Sequence, residues 1–247
     1  LPEIRNLEKM IQNFPEVEQA IVAGSTRRRK ETIGDIDILA ASKKPEKIMD
    51  RFLDLPFIVH VYAKGKTKTM VKLKNGLDAD LRVVPKESYG AALNYFTGSK
   101  DHNIALREMA IKKGRKLNEY GLFKGQKQVA GRTEEEIYKS LGLNYIEPEM
   151  RENNGELELA RAGKLPKLIG YGDLRGDLQT QTNWTDGEDS IEKMAEEAEK
   201  MGLEYIVITD HTKSLAMTGG ADEKKLLKQM AEIDKIQDNR VKQQFTQ

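Results

Sequence analysis

The stretch Gly34-Asp35-Ile36-Asp37-Ile38-Leu39-Ala40 sets carboxylate against aliphatic side chains in strict alternation. Successive side chains of a strand point to opposite faces. Ile36 and Ile38 therefore enter a core, while Asp35 and Asp37 share the other face. Such a strand needs a sheet around it, and four further segments supply one. Val17 to Val22 is a short apolar strand that stops at Ala23-Gly24-Ser25, a strand, turn and helix start. Phe57 to Tyr62, Thr67 to Leu73 and Asp78 to Val84 are the others, the last stopped by Pro85. Residues 3–13 have helical apolar spacing. Residues 1–86 thus read as an α/β sheet domain.

From Lys86 to Leu117 the pattern is helical, with Tyr89, Leu93, Phe96, Ile104, Leu106 and Ala110 as buried positions and a break at Thr97-Gly98-Ser99. A short helix spans Thr133 to Leu141, where Thr133 and Glu136 have capping-box spacing. Residues 144–172 hold Pro148, Pro166, three Asn and several Gly and read as a linker with one short amphipathic helix. A β-α-β pattern starts at Asp173: strand to Gln179, helix Ser190 to Met201, strand Tyr205 to Thr209.

Hydrophobic residues make up 38% of the 247, enough for real cores. The absence of Cys excludes disulfides and thiolate metal sites, and no apolar run approaches the roughly 18 residues that span a bilayer. The chain opens on Leu-Pro-Glu without Met or a charged-then-apolar leader, which reads as a cytoplasmic protein without a signal peptide and is consistent with a cut end. The net charge of +1 hides an asymmetry: 27 basic against 21 acidic residues over 1–150, and 14 against 19 over 151–247. Between Val61 and Lys127 there are 15 basic and 6 acidic residues, a density suited to polyphosphate or a nucleic-acid backbone, or to a solvated basic surface.

Two parallel carboxylates, Asp35 and Asp37, offer a cation site. Hard ions such as Mg²⁺ take oxygen ligands and commonly combine one or two carboxylates with substrate phosphates. Asp80, on a later strand, is the natural third ligand. An isolated Asp-x-Asp is weak evidence, since solvated acidic pairs on edge strands are common, but a Gly24-Ser25 turn and the run Arg27-Arg28-Arg29-Lys30 precede this one. Backbone N–H groups and a hydroxyl at such a turn suit a phosphate, and Arg side chains clamp its remaining oxygens. Phosphate holder and metal holder then meet at one point, the arrangement of a nucleotidyltransferase in which two metals position an attacking hydroxyl and neutralise leaving pyrophosphate.

The runs Gly24-Ser25-Thr26-Arg27-Arg28, Glu31-Thr32-Ile33-Gly34-Asp35-Ile36-Asp37, Asp80-Leu81-Arg82-Val83-Val84-Pro85-Lys86 and Tyr95-Phe96-Thr97-Gly98-Ser99 resemble the palm and thumb of family X DNA polymerases over about residues 14–147. The resemblance implies a nucleotidyltransferase palm with a mixed β-sheet (1–86), a small α+β thumb (87–147), a linker (148–172) and a partial C-terminal β/α phosphoesterase-like domain (173–247). It implies two Mg²⁺ or Mn²⁺ ions bridged by Asp35 and Asp37. Asp80 would hold the catalytic metal and receive the primer 3′-hydroxyl proton directly or through water. Ser25 and Arg28 would bind the β- and γ-phosphates beside Gly24, with Gly34 giving a backbone contact. Tyr95, Phe96 and Gly98 would line the deoxyribose, Asn103 would read the minor-groove edge of the base, Arg107 would touch the template, and Arg82 would orient the carboxylates. The implied partners are primer-template or gapped DNA and deoxynucleoside triphosphates, with no membrane and a monomeric chain.

Without the motifs, Tyr95 and Phe96 read as core aromatics and Asn103 and Arg107 as a solvated helix face. His102 reads as a surface histidine and His60, in an apolar strand, as structural. Lys64, Lys66, Lys68, Lys72 and Lys74 could all face one side of a ribbon, along template phosphates or as edge-strand defence.

Leu178 to Asp186 and Ile206 to His211 resemble the start of the polymerase and histidinol phosphatase domain that bacterial and archaeal family X polymerases carry after the thumb, and Gly142-Leu143, Tyr145-Ile146, Pro148-Glu149 and Gly176-Asp177-Leu178 resemble that subgroup. That domain opens on a His-x-His pair, where this chain has Gln179-Thr180-Gln181. Gln lacks the imidazole nitrogen that transition metals favour, so Asp186, Asp210 and His211 are left as a degenerate second site without metal-dependent exonuclease activity. The rivals to templated gap filling are a template-independent nucleotidyltransferase, which should lack Tyr95 to Ser99 and the Asn103/Arg107 helix, and a DNA-end-binding module with lost activity, against which all three carboxylates count.

Overall fold

The computed structural model describes residues 2–244, so Leu1 and residues 245–247, the outermost ends of the first and last expected domains, lie outside the described residues. Contacts divide the chain into two units, Leu1–Pro166 and Lys167–Gln247.

The first unit begins with α1 (Pro2–Gln12), β1 (Gln19–Val22), α2 (Gly24–Arg27), β2 (Asp35–Ala41), α3 (Pro45–Leu53), β3 (Ile58–Lys64), β4 (Lys68–Leu73) and β5 (Asp78–Val84). The strands form one sheet in the order β1-β2-β5-β4-β3. Only β2 and β5 run parallel, so the sheet is mixed. Ile36, Ile38 and Ala40 of β2 and Ala79, Leu81 and Val83 of β5 pack against Ile4, Leu7 and Ile11 of α1 and Ile48, Met49 and Phe52 of α3. Full burial of such a side chain contributes about 1.5–3 kcal/mol. The opposite face of β2 is graded: Asp35 is exposed, Asp37 half-buried and Leu39 buried.

A 3₁₀ turn at Lys86–Ser88 leads into α4 (Tyr89–Thr97) and α5 (Lys100–Lys112). Ala92 and Leu93 of α4 cover Leu39 and Val84, closing that end of the second sheet face and leaving the aspartate end open. The helical pattern expected to Leu117 stops earlier. Gly114 adopts φ +66°, which ends the helix without a Cβ penalty, and Lys116–Asn118 is β6, paired with β7 (Gly121–Lys124) and through it with β8 (Lys127–Ala130). Then come α6 (Glu134–Ser140) and α7 (Glu156–Ala162). Thr133 caps α6, accepting from Glu136 N–H at 3.2 Å, while the Glu136 carboxylate reaches back to Gly131 and Arg132 N–H at 3.3 and 3.1 Å. Leu106, Ala110, Leu122, Ile137 and Tyr138 form this part's core, and Ile146, Leu157 and Ala160, within and beside the segment read as a linker, join it.

Four further expectations need correction. Ile104, read as buried, is exposed on α5. His102 is fully buried rather than on the surface, because polar partners meet it inside this second core. His60 is exposed on edge strand β3, where its ring stands edge-on to Tyr62. The lysines do not share one face: Lys64 and Lys66 pair with Asp50 and Glu46 of α3, whereas Lys68 and Lys72 pair with Asp80 and Asp78 on the other side of the sheet.

The second unit contains β9 (Gly176–Thr180), α8 (Ile191–Lys200), β10 (Tyr205–Ile208) and α9 (Glu223–Gln244). The two strands pair in parallel across the α8 connection. Among the described residues no helix is long and apolar enough to cross a membrane.

Candidate active site

Parallel pairing of β2 and β5 puts Asp35 opposite Asp78 and Asp37 opposite Asp80. Side chains at paired positions share a face, so the carboxylates gather at the open end of the second sheet face. Burial above all, and then the like charges of Asp35 and Asp80, raise the Asp37 pKa to about 6. Such crowding of acids asks for a cation. Lys68 of β4 supplies one, with Nζ 3.0 Å from Asp80 Oδ2. Among the described residues, no three His, Cys, Asp or Glu side chains stand close enough to enclose an ion by themselves. The donor set is all oxygen and anionic, which fits a hard divalent ion whose remaining ligands come from a substrate.

The turn from β1 into α2 touches these carboxylates directly. Gly24 adopts φ +59°, and a Cβ there would lie 2.3 Å from Asp37 Oδ2, so conformation and space both demand glycine. Ser25 follows. Arg28 donates from Nε to Glu152 at 2.9 Å and from Nη1 to the Thr97 carbonyl, which ties the basic run to the α4–α5 turn. Arg27 turns inward instead, forking onto Glu134 at 2.9 and 2.6 Å and donating to Thr97 Oγ1 at 2.7 Å. Arg29 and Lys30 reach Glu149 and Glu152 at 2.9 and 3.4 Å.

From the other side, α4 and α5 present aromatic and amide groups. Tyr95 and Phe96 meet edge to face with centroids 5.1 Å apart, and the Arg82 guanidinium lies 4.4 Å above the Phe96 ring. Asn103 Nδ2 donates to the Tyr95 carbonyl at 2.7 Å, bracing the two helices, and Arg107 Nε donates to the Asn103 carbonyl at 3.3 Å. Gly24, Ser25, Arg28, Asp35, Asp37, Tyr95, Phe96, Gly98, Asn103 and Arg107 line a single open cleft of about 390 Å³. Gly34, Asp80 and Arg82 stand outside that lining, although Asp80 and Arg82 act on Asp37 electrostatically. Sequence reasoning missed Lys100, which also lines the cleft, and the pairing of Lys68 with Asp80. Lys100 was readable only as the residue after Ser99 at a helix start. The cleft joins an acidic corner, a basic turn and an aromatic wall, which suits a ligand with phosphates at one end and a flat ring at the other.

In the second unit Gln179 is exposed, and Gln181 Nε2 donates to Thr209 Oγ1 at 3.3 Å. Asp210 accepts from Thr182 N–H and Oγ1 at 2.8 and 2.6 Å, and from Thr185 Oγ1 and Gln229 Nε2, both at 2.5 Å. Burial alone would raise its pKa, but these donors hold it below the usual carboxylate range. Asp186 stands 3.6 Å from His211 Nε2.

Known proteins share the sequence and the fold of the first unit. The family described as DNA polymerase beta thumb matches residues 92–152. The DNA polymerase/3′-5′ exonuclease PolX of Bacillus subtilis is 36% identical over 239 residues, covering 94% of this chain and 41% of that protein. This chain thus spans less than half of that relative's length. The repair DNA polymerase X of African swine fever virus (Tick/South Africa/Pretoriuskop isolate) is 33% identical over 139 residues, covering 53% of this chain and 80% of the viral protein. Leishmania infantum polymerase beta, crystallised as a ternary P/T complex, superposes with a TM-score of 0.53 at 25% identity, over 61% of this chain and 74% of that one. With the mixed sheet, the thumb match and most of the compact viral enzyme covered at this identity, the chain belongs to the family X DNA polymerases.

Proposed function

We propose that this chain is the catalytic part of a template-directed DNA nucleotidyltransferase that fills gaps in repair synthesis. The observation that carries this reading is the single cleft in which Asp35 and Asp37, the Ser25/Arg28 turn and the Tyr95/Phe96/Asn103 wall face one another. In the reaction the primer 3′-oxygen attacks the α-phosphorus of a deoxynucleoside triphosphate, the bond to the bridging oxygen breaks, and pyrophosphate leaves. Asp35 and Asp37 would hold two Mg²⁺ or Mn²⁺ ions, with Asp80 completing the site of one; when bound, such ions neutralise charge on the transferring and leaving oxygens. Asp80 takes the proton of the 3′-hydroxyl, directly or through water, and Arg82 orients the carboxylates. Ser25, Arg28 and the backbone at Gly24 and Gly34 hold the β- and γ-phosphates. Tyr95, Phe96 and Gly98 cradle the sugar, Asn103 meets the base edge and Arg107 the template.

The palm, thumb and phosphoesterase-like portions are proposed at 1–86, 87–147 and 173–247, with 148–172 between them, its Leu157 and Ala160 packed on the core beside the thumb elements. The chain acts as a cytoplasmic monomer, and its second unit lacks exonuclease activity because Gln179 and Gln181 offer no imidazole and Asp210 is fully engaged by protein donors. Single-nucleotide incorporation on a gapped duplex tests the central reading. The protein should add only the template-matched nucleotide, and Asp80→Ala should lower the rate by at least about a hundredfold, the lower range for losing a proton acceptor. Untemplated addition, or addition that survives the substitution, would sink it.

A further inference from the structure

The core shared by α4, α5, α6 and α7 contains a polar chain that the proposed chemistry leaves unused. Asn94 Nδ2 donates to Tyr138 Oη at 3.0 Å, Tyr138 Oη lies 2.9 Å from His102 Nε2, and His102 Nδ1 lies 2.6 Å from Glu156 Oε1. None of the four residues is more than 5% exposed. One proton arrangement satisfies every link: Tyr138 O–H donates to His102 Nε2, and His102 Nδ1–H donates to the Glu156 carboxylate. That carboxylate also accepts the N–H groups of Asn153 and Asn154 at 2.9 and 2.7 Å. The chain therefore has a fixed direction and draws on α4, α5, α6 and α7.

Its placement gives it a use. Asn94 directly precedes Tyr95, and His102 directly precedes Asn103. The core side of the α4–α5 turn is gripped one residue away from each of two cleft residues, while Asn103 Nδ2 braces the cleft side through the Tyr95 carbonyl. Stability alone does not call for this arrangement. Apolar side chains of similar volume would fill the same core without needing partners, whereas a polar chain admits one register of its helices and penalises others with unpaired buried groups.

We propose that the Asn94–Tyr138–His102–Glu156 chain is a positioning device that sets the spacing of Tyr95, Phe96 and Asn103, and so the fit of the incoming nucleotide's sugar and base. The inference rests on the nucleotide reading of the cleft.

Tyr138→Phe tests it in the full chain, since it removes one oxygen and leaves Asn94 Nδ2 and His102 Nε2 unpaired. On a gapped duplex the KM for the matched nucleotide should rise about five- to tenfold, the scale of one buried hydrogen bond. The kcat should stay within about twofold, with affinity for the gapped DNA unchanged. Calorimetric affinity for dATP should weaken by the same factor. A variant that melts earlier but keeps the wild-type KM and dATP affinity well below its melting temperature would show a purely structural role and overturn the proposal. If Tyr138→Phe does not fold, His102→Asn serves in its place, because it keeps a donor to Glu156 and drops only the link to Tyr138. A wild type that binds dATP but does not extend primers overturns the polymerase reading alone, with the calorimetric ratio still deciding this one. A wild type that binds no dATP overturns both.

Discussion

Glu134 shows how much a single side chain can be asked to hold. It is 4% exposed at the start of α6, forked by Arg27 and met by Arg151 Nη1 at 2.5 Å, and Arg151 is itself fully buried. Burial alone would raise its pKa, but the hydrogen bonds and charges of Arg27 and Arg151 outweigh that and hold it at about 2. The folded value lies below the ordinary 4.5. Its contribution is therefore complete above about pH 4.5 and is lost as the pH falls toward about 2. Urea midpoints measured from pH 6 to pH 2 should fall across that window, and Glu134→Gln should flatten the fall. Glu134→Ala should lower stability by about 3 kcal/mol, because it takes the carboxylate from the fully buried Arg151 guanidinium and from the partly buried Arg27. A midpoint loss below about 1 kcal/mol would mean that water reaches the site and stands in for the carboxylate.

Between elements, the tightest constraint is the seam of α4 with α6. Gly90 N–H donates to the Arg132 carbonyl at 3.1 Å, and a Cβ on Gly90 would meet Thr133 backbone atoms at 2.2–2.4 Å. Gly90→Ala should therefore push α6 away and cost about 1–3 kcal/mol or more, the range for overpacking against atoms that cannot step aside; a melting temperature equal to wild type would show that the seam opens freely. Thr133→Ala, which removes only the cap, should cost about 1 kcal/mol in the same melt. These elements differed in how far they could be read. Strand β5 was legible to the residue because Asp78, Asp80 and Arg82 alternate with aliphatics and Pro85 stops the run. Helix α3 carried Ile48, Met49 and Phe52 at helical spacing, yet its lysines and acids drowned them. Strands β6–β8 have three or four residues each, too few for alternation to show. In the cleft, local motifs announced Asp35, Gly24 and Tyr95. The partners of His102 were out of reach because Tyr138 and Glu156 lie 36 and 54 residues away along the chain.

At the scale of the whole molecule the two units differ in their means of support. The first has a five-stranded sheet and a three-stranded one, each with its own core, whereas the described part of the second has one parallel pair. Two strands are marginal by themselves in water, and Leu178, Met201, Met217 and Leu227 of this unit are largely exposed. Expressed separately, residues 1–166 should melt as a cooperative unit by circular dichroism, and residues 167–247 should not; a sharp transition in the second fragment would refute this. The second unit also shows what a fully occupied acid forgoes. The four hydrogen bonds that Asp210 accepts fill the roughly four lone-pair sites of a carboxylate. Histidine placed at positions 179 and 181 would add two imidazoles, yet Thr182, Thr185 and Gln229 would still have to release Asp210 before it could turn an oxygen toward a cation.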